Sequence, residues 1–228
     1  MPSVALSLRN VPLFVDLPEQ DLDAIAALCQ EKRFSRGAVI FLADDPGEAM
    51  FIIREGSVRI YVLSEEGRQK TLDLFGPGEF FGEMAILDDL PRSAIAEARE
   101  DSSMLAIAKK DFTSLLLSRP ELALKIIAVL SRRLRASNAQ MEQLVFGDVR
   151  VRLAARLLEL ADRHGETGGV IGLRLTHQEL ANLVGAARET VTRLLLEFMD
   201  ESMLGLSGRH LIVKDYDALA GIAAGRGA

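Results

Sequence analysis

Cysteine is nearly absent from this 228-residue chain: Cys29 is the only one. A lone thiol excludes an internal disulfide and fits a reducing compartment. It also cannot supply the several thiolates of an iron–sulfur cluster within one chain. Histidine is scarce as well; His164, His177 and His210 are the full set, so residues 1–163 contain none. Jelly-roll enzymes that hold a metal usually do so with two or three histidines and a carboxylate, which this stretch cannot provide. No Ser-His-Asp or Cys-His arrangement and no nucleoside-triphosphatase phosphate loop is present, so neither an enzyme nor a metal site is expected. No run approaches the roughly 18 apolar residues of a membrane helix. The opening, MPSVALSLRNVPLF, lacks a basic stretch followed by a long apolar one, so no secretion signal, no membrane partner and a cytoplasmic location are expected.

What is present describes a globular protein with ample core: 49% hydrophobic and 26% charged residues. The length suits one large domain or two modest ones. Net charge is −6, and residues 1–145 hold 17 Lys/Arg against 22 Asp/Glu while residues 146–228 hold 10 against 11. The second part is near neutral, so any binding of nucleic acid there would rest on where its arginines sit.

The pattern changes along the chain. Residues 17–34 have helical periodicity with an acidic first turn and are expected to form a short helix. From 35 to about 108, short β-rich runs follow one another: AVIFLA, MFIIRE, VRIYVLS, KTLDLF, SAIAEARE and MLAIAK. Turn signals separate them at Asp45-Pro-Gly, Glu55-Gly56, Glu66-Gly67 and Gly76-Pro-Gly78, as in a small β-sandwich or jelly roll. After Pro120, the positions Ile127, Leu130, Leu134, Ser137, Met141 and Leu144 advance alternately by three and four. That is a heptad seam, suited to pairing with a second copy along its length, or to covering the core of its own domain. Phe146-Gly147-Asp148 breaks the pattern, with Gly147 relaxing the backbone and Asp148 capping the helix that begins VRVRLAARLLEL. The expected fold is α+β with three parts: a β-domain over 1–119, a dimerisation helix over 120–146, and a helical domain ending in a small hairpin over 147–228.

Two stretches carry chemistry. FGEMAILDDLPRSA (81–94) interrupts the strands with one glutamate, one arginine and one serine in an otherwise greasy passage. It is either a solvated loop or a pocket for a small anion that bears hydroxyls. LTHQELANLVGAARETVTRLLLEFMDESML (175–204) is more specific. Thr176 and Glu179 form a capping box that starts a helix at His177. Leu180, Leu183 and Val184 face inward, Gly185 makes the turn, and a second helix runs from about Arg188 to Met199. This is a helix-turn-helix, whose second helix enters the DNA major groove. Arg188, Glu189, Thr192 and Arg193 lie on one face, where arginine can pair with guanine and glutamate with the cytosine amino group. The competing reading makes them ordinary surface charges. Ala187 offers no side-chain cap, at a cost of about 1 kcal/mol. LGLSGRHLIVKD reads as two strands around Ser207-Gly208, the wing of a winged helix.

With both motifs in this order, the chain resembles the cyclic AMP receptor protein (CRP/FNR) family of bacterial transcription regulators over nearly its whole length. FGEMAILDDLPRSA resembles that family's phosphate-binding cassette, and QELANLVGAARETVTRLL its helix-turn-helix. The resemblance implies a homodimer whose binding to a palindromic double-stranded DNA site is controlled by a cyclic nucleotide, cyclic AMP. Cyclic GMP, cyclic di-GMP or no ligand at all is the alternative, and RNA polymerase is a further implied partner. It implies a ligand site of Gly82, Glu83, Met84, Ala85, Arg92, Ser93 and Ala94, with Glu83 on the ribose hydroxyl and Arg92 on the cyclic phosphate. Ser137 and Asn138 stand where the family has a threonine and a serine that read the base, although a polar seam residue can equally set helix register. The DNA face implied is Thr176, His177, Gln178, Arg188, Glu189, Thr192 and Arg193. Oxygen-sensing branches need several cysteines and haem-sensing branches an axial ligand in the sensor domain, and neither is present. A cyclic di-GMP-responsive member is expected to alter Pro-Arg-Ser, which this chain keeps.

Overall fold

Helices α1 (Val4–Leu8) and α2 (Glu19–Leu28) open the chain in the computed structural model. The structure describes residues 4–9, 11–146, 148–166 and 169–225, the side chains of 143–146 and 166 excepted. Strands β1 (Cys29–Phe34), β2 (Val39–Phe41), β3 (Ala49–Glu55), β4 (Val58–Leu63), β5 (Gln69–Phe75) and β6 (Phe80–Phe81) follow. Next come α3 (Met84–Leu87), β7 (Ile95–Ala98), β8 (Ser102–Ala108), α4 (Lys109–Ser118) and the long α5 (Pro120–Phe146). The chain divides into two compact units, 1–66 with 72–132 and 67–71 with 133–228.

In the first unit the strands form two four-stranded sheets, ordered β1-β8-β3-β6 and β2-β7-β4-β5. The apolar runs of β3 and β8 carry no polar alternation because both of their faces are buried. Ile53 and Met104 turn into the sandwich beside Val58, Phe75, Phe81 and Ala96. Met50, Ile52, Leu105 and Ile107 turn outward to Leu22, Ile25, Phe112, Leu115, Leu122 and Ile126 on the helices. The seam helix therefore carries a buried stripe and an exposed one. Leu122 and Ile126 close its own domain's core, with Val129 and Leu130 partly buried against it, while Leu124, Ile127, Leu134 and Met141 stay exposed. Leu130 thus packs on the core, apart from the other seam residues; Gly147 and the side chain of Leu144 lie outside the described residues.

One expectation is corrected. The helix foreseen over 17–34 ends at Leu28, and Cys29–Phe34 is a strand paired antiparallel with β8 from Cys29↔Ile107 to Phe34↔Ser102. Its charged run, Gln30–Arg33, reads as a helix face but is suited to a sheet edge, where exposed charge discourages further pairing. The two-residue β6 and helix α4 are not legible in the pattern.

The second unit is built on α6 (Val149–His164), with Asp148 accepting from the Val151 amide at 2.8 Å as the foreseen cap. Strands β9 (Gly165–Glu166) and β10 (Val170–Ile171) precede α7 (His177–Val184) and α8 (Arg188–Asp200). Strands β11 (Leu204–Ser207) and β12 (His210–Val213) form the expected hairpin, completing a sheet ordered β11-β12-β10-β9, and α9 (Tyr216–Ala223) follows. Buried Leu153, Leu157, Leu180, Val184, Val191, Leu195, Phe198, Leu219 and Ile222 make the core.

Tyr216 fastens α9 to α6 by donating to Asp162 Oδ1 at 2.5 Å, and the bond to that carboxylate raises the phenol's pKa from 10.0 to about 12. A proton held more tightly in the folded state stabilises the fold below the unfolded pKa, and that stabilisation is lost as pH rises through the folded one. Denaturant titrations are expected to show wild type losing stability relative to Tyr216→Phe between pH 10 and about 12. Parallel curves across that window would contradict the assignment.

Candidate functional site

The cassette is positioned from below by a turn and from beside by β2. Asp44 and Asp45 pair with Arg92 through the backbone, Asp44 N to Arg92 O and Arg92 N to Asp45 O, both at 2.9 Å. The Asp45 carboxylate accepts the Leu42 amide at 2.7 Å and fixes the turn. Gly47 is obligatory there, because a Cβ on it would lie 2.5 Å from that of Ala85. The Ala85 methyl is thus committed to packing, and only its backbone remains for a ligand.

Glu83 and Arg92 are buried, at 2% and 5% exposure, an unusual state for charged residues. Arg92 Nη1 donates to Gly82 O at 2.5 Å and Nη2 to Ala49 O at 2.6 Å. Its guanidinium carbon sits 4.2 Å from the centroid of the Phe41 ring. Phe41 in turn leans on Phe51 and Phe81, whose rings stack at 5.3 Å. Gly82 has φ +81°, and a Cβ there would come within 2.8 Å of Arg92 Nη1, so the position needs glycine on both counts. Burial lowers the arginine's pKa, while the negative charges of Glu83 and then Asp45 oppose that shift and keep it a cation.

The fork is held but not filled. Arg92 Nε is buried and has no hydrogen-bond partner among the described residues. A buried, unsatisfied donor on a cation is costly, and an anionic oxygen is the partner that removes the cost. That orphan, together with the glycine cradle and an acidic acceptor next in sequence, fits a sugar-linked phosphate. Met84 and Ser93 are exposed and Ala94 is buried, so the predicted ligand residues of this unit are not equivalent. Ser137 and Asn138 are exposed on the part of α5 that belongs to the second unit. Among the described residues no cluster of His, Cys, Asp and Glu could hold a metal, and no helix is long and apolar enough to cross a membrane.

In the second unit the capping box forms in both directions: Thr176 accepts from the Glu179 amide, and Glu179 accepts from the Thr176 amide at 2.8 Å. Gly185 closes α7 at φ 67°, a left-handed conformation suited to glycine. Ala187 stands as the cap of α8 with no side-chain bond, as its residue type implies. Val191, Leu194, Leu195 and Phe198 are buried, which leaves Arg188, Glu189, Arg193 and Leu196 on the exposed side with Thr192 at its border. Gln178 bonds Asn182 at 2.9 Å along α7.

Three features of the two sites lie outside the sequence-based expectations. His177 Nδ1 lies 2.8 Å from Thr192 Oγ1 and ties the start of α7 to the side of α8 that carries Arg188 and Arg193. Phe41 underlies the cassette arginine from a strand far away in sequence, where no pattern marks it. Glu197 pairs with Arg193, a link that the i,i+4 spacing does announce.

Comparison with known proteins agrees with this geometry. A family model described as a cyclic nucleotide-binding domain matches residues 31–119, and one described as a Crp-like helix-turn-helix domain matches residues 151–222. A cyclic AMP receptor protein of Thermus thermophilus is 36% identical over 218 residues, covering 96% of this chain and 99% of the relative. The solved structure of FixK2 from Bradyrhizobium japonicum is 26% identical with a TM-score of 0.77, covering 85% of this chain and 96% of that one. A c-di-GMP responsive global regulator, CLP of Xanthomonas campestris, is 25% identical with a TM-score of 0.68, covering 87% and 100%. The chain belongs to the CRP/FNR family: it is a cyclic nucleotide-binding transcription regulator with a DNA-binding helix-turn-helix, and not an enzyme.

Proposed function

We propose that the protein is a cytoplasmic homodimer whose sequence-specific DNA binding is switched by cyclic AMP. The observation that carries the effector is the buried Arg92, fixed over Phe41 with Nε unsatisfied, beside buried Glu83. Arg92 takes the cyclic phosphate, Glu83 accepts from the ribose hydroxyl, and Ser93 with the Ala94 amide completes the anion's shell. Gly82, and the backbone at Met84 and Ala85, let the sugar come close. Ser137 and Asn138 read the base; this part rests on the resemblance of sequence and on their exposure. The Thermus relative's name favours cyclic AMP. A second effector, cyclic di-GMP, is favoured by the Xanthomonas relative, though Pro91-Arg92-Ser93 is retained here.

The homodimer rests on α5, where Ile127, Leu134 and Met141 stay exposed at seven-residue spacing on a 27-residue helix. Pairing along that line would bury them. The working parts are then 1–119 for the nucleotide, 120–146 for pairing and 147–228 for DNA. On the duplex, two α8 helices one turn apart, about 34 Å, would read a palindrome with TGTGA-like half-sites. Thr176, His177 and Gln178 flank the groove while Arg188, Glu189, Thr192 and Arg193 face its bases; RNA polymerase is the remaining partner. For the nucleotide to act as a switch it must bind the DNA-competent state more tightly than the other.

Fluorescence anisotropy is expected to show tighter operator binding with cyclic AMP than without, and equal affinities would remove the switch. Calorimetry with cyclic AMP, cyclic GMP and cyclic di-GMP identifies the effector. In the same assay Arg92→Ala is expected to abolish binding while the protein still folds, less stable by about 1–3 kcal/mol because two carbonyls lose a charged donor. Phe41→Leu, which removes the ring face beneath the guanidinium, is expected to weaken binding by about 0.5–2 kcal/mol. Wild-type affinity in Arg92→Ala would overturn the assignment of the cassette.

A further inference from the structure

The exposed side of α8 carries an unexpected balance of charge for a surface that meets phosphates. Arg188 and Arg193 share it with Glu189, Glu197 and Asp200. An acid near the DNA backbone lowers general affinity, so each one calls for a reason. Glu197 has a geometric one. Its Oε1 accepts from Arg193 Nη1, one helical turn back on the same helix. Its other oxygen accepts from Arg150 Nη1 of α6 at 3.1 Å. Arg150 is itself anchored, with Nη2 donating to Glu201 at 2.7 Å and its guanidinium 5.0 Å from the ring of Phe198. Phe198 is fully buried in the core of the unit. A continuous line therefore runs from the core, through Arg150 and Glu197, to the guanidinium of an arginine whose side chain is 64% exposed.

We propose that Glu197 is the positioning residue for Arg193, and through it a determinant of which operator base that arginine reads; this rests on the reading role assigned to α8. A long arginine on an open surface samples many rotamers, and a base contact must freeze one of them. A carboxylate that already holds Nη1 makes part of that choice before DNA arrives. The bond leaves Nε and Nη2 without a protein partner among the described residues, the edge needed for a planar two-bond contact with guanine. Because both oxygens of Glu197 are occupied, the acid does not compete freely for the cytosine amino group. Its effect is to orient its neighbour.

The test uses the full-length protein and duplexes with two randomised half-sites, selected with and without cyclic AMP and then sequenced. Arg193→Ala locates the position this arginine reads, where preference is expected to fall on the order of ten- to a hundredfold. Glu197→Gln is expected to flatten preference at that same position by about three- to tenfold, with other positions and binding of unselected DNA retained or stronger. Arg150→Gln, which frees Glu197 without touching the exposed face, is expected to do so more weakly at the same place. Circular dichroism melts confirm that each variant is folded. Wild-type preference in Glu197→Gln, an equal loss at every position, or an Arg193→Ala that flattens no position would each overturn the proposal while leaving DNA reading by Arg188 intact. A wild-type pool with no preference anywhere would instead remove the reading role of α8.

Discussion

A buried guanidinium held on three sides and left unsatisfied on the fourth is the constraint around which the first unit is arranged. Burying a cation is expensive unless its hydrogen bonds are met and a counter-charge lies near. Here the carbonyls of Gly82 and Ala49, the face of Phe41 and the charges of Glu83 and Asp45 meet most of that cost. The local backbone follows from it. Gly82 and Gly47 are glycines because a side-chain carbon at either would strike Arg92 or Ala85. The aromatic stack of Phe51 and Phe81 exists between the sheets and supports Phe41, so the sandwich core also underlies the buried guanidinium of Arg92.

The second unit is organised on a different rule. Its core is small and made of aliphatic residues with Phe198, and its precision comes from caps and polar ties at helix ends. The reciprocal bonds of Thr176 and Glu179, the left-handed Gly185, and the bond from His177 to Thr192 together set where α8 begins and how it is turned. A near-neutral domain cannot rely on bulk attraction to phosphate, so recognition depends on oriented side chains. Between the two motifs lies one helix with two stripes: Leu122 and Ile126 buried in its own core, and Ile127, Leu134 and Met141 exposed at seven-residue spacing.

Much of this architecture is legible in the amino-acid sequence wherever the physics is local. The capping box, the turn glycine, Asp148 and the hairpin at Ser207-Gly208 are all determined within a few residues. The strand at Cys29–Phe34 is not, because its conformation is set by pairing with β8, from Cys29↔Ile107 to Phe34↔Ser102, far away in the chain. Phe41 is invisible for the same reason; nothing near it in sequence announces a guanidinium above its ring. The residues around Glu83 and Arg92 leave two readings open, a solvated loop or an anion pocket, and only the resemblance to a known cassette favours the second. No sequence pattern reveals that Arg92 spends two donors on backbone carbonyls and keeps one unpaired.

That unpaired donor offers the most direct test. In protein labelled with nitrogen-15 arginine, the Nε–H resonance of Arg92, assigned by its absence in Arg92→Lys, can be followed as cyclic AMP is added. A hydrogen bond to the ligand's phosphate is expected to move the signal downfield and slow its exchange with water at saturating nucleotide. An Arg92 signal that stays in place while calorimetry shows the nucleotide bound would contradict the account.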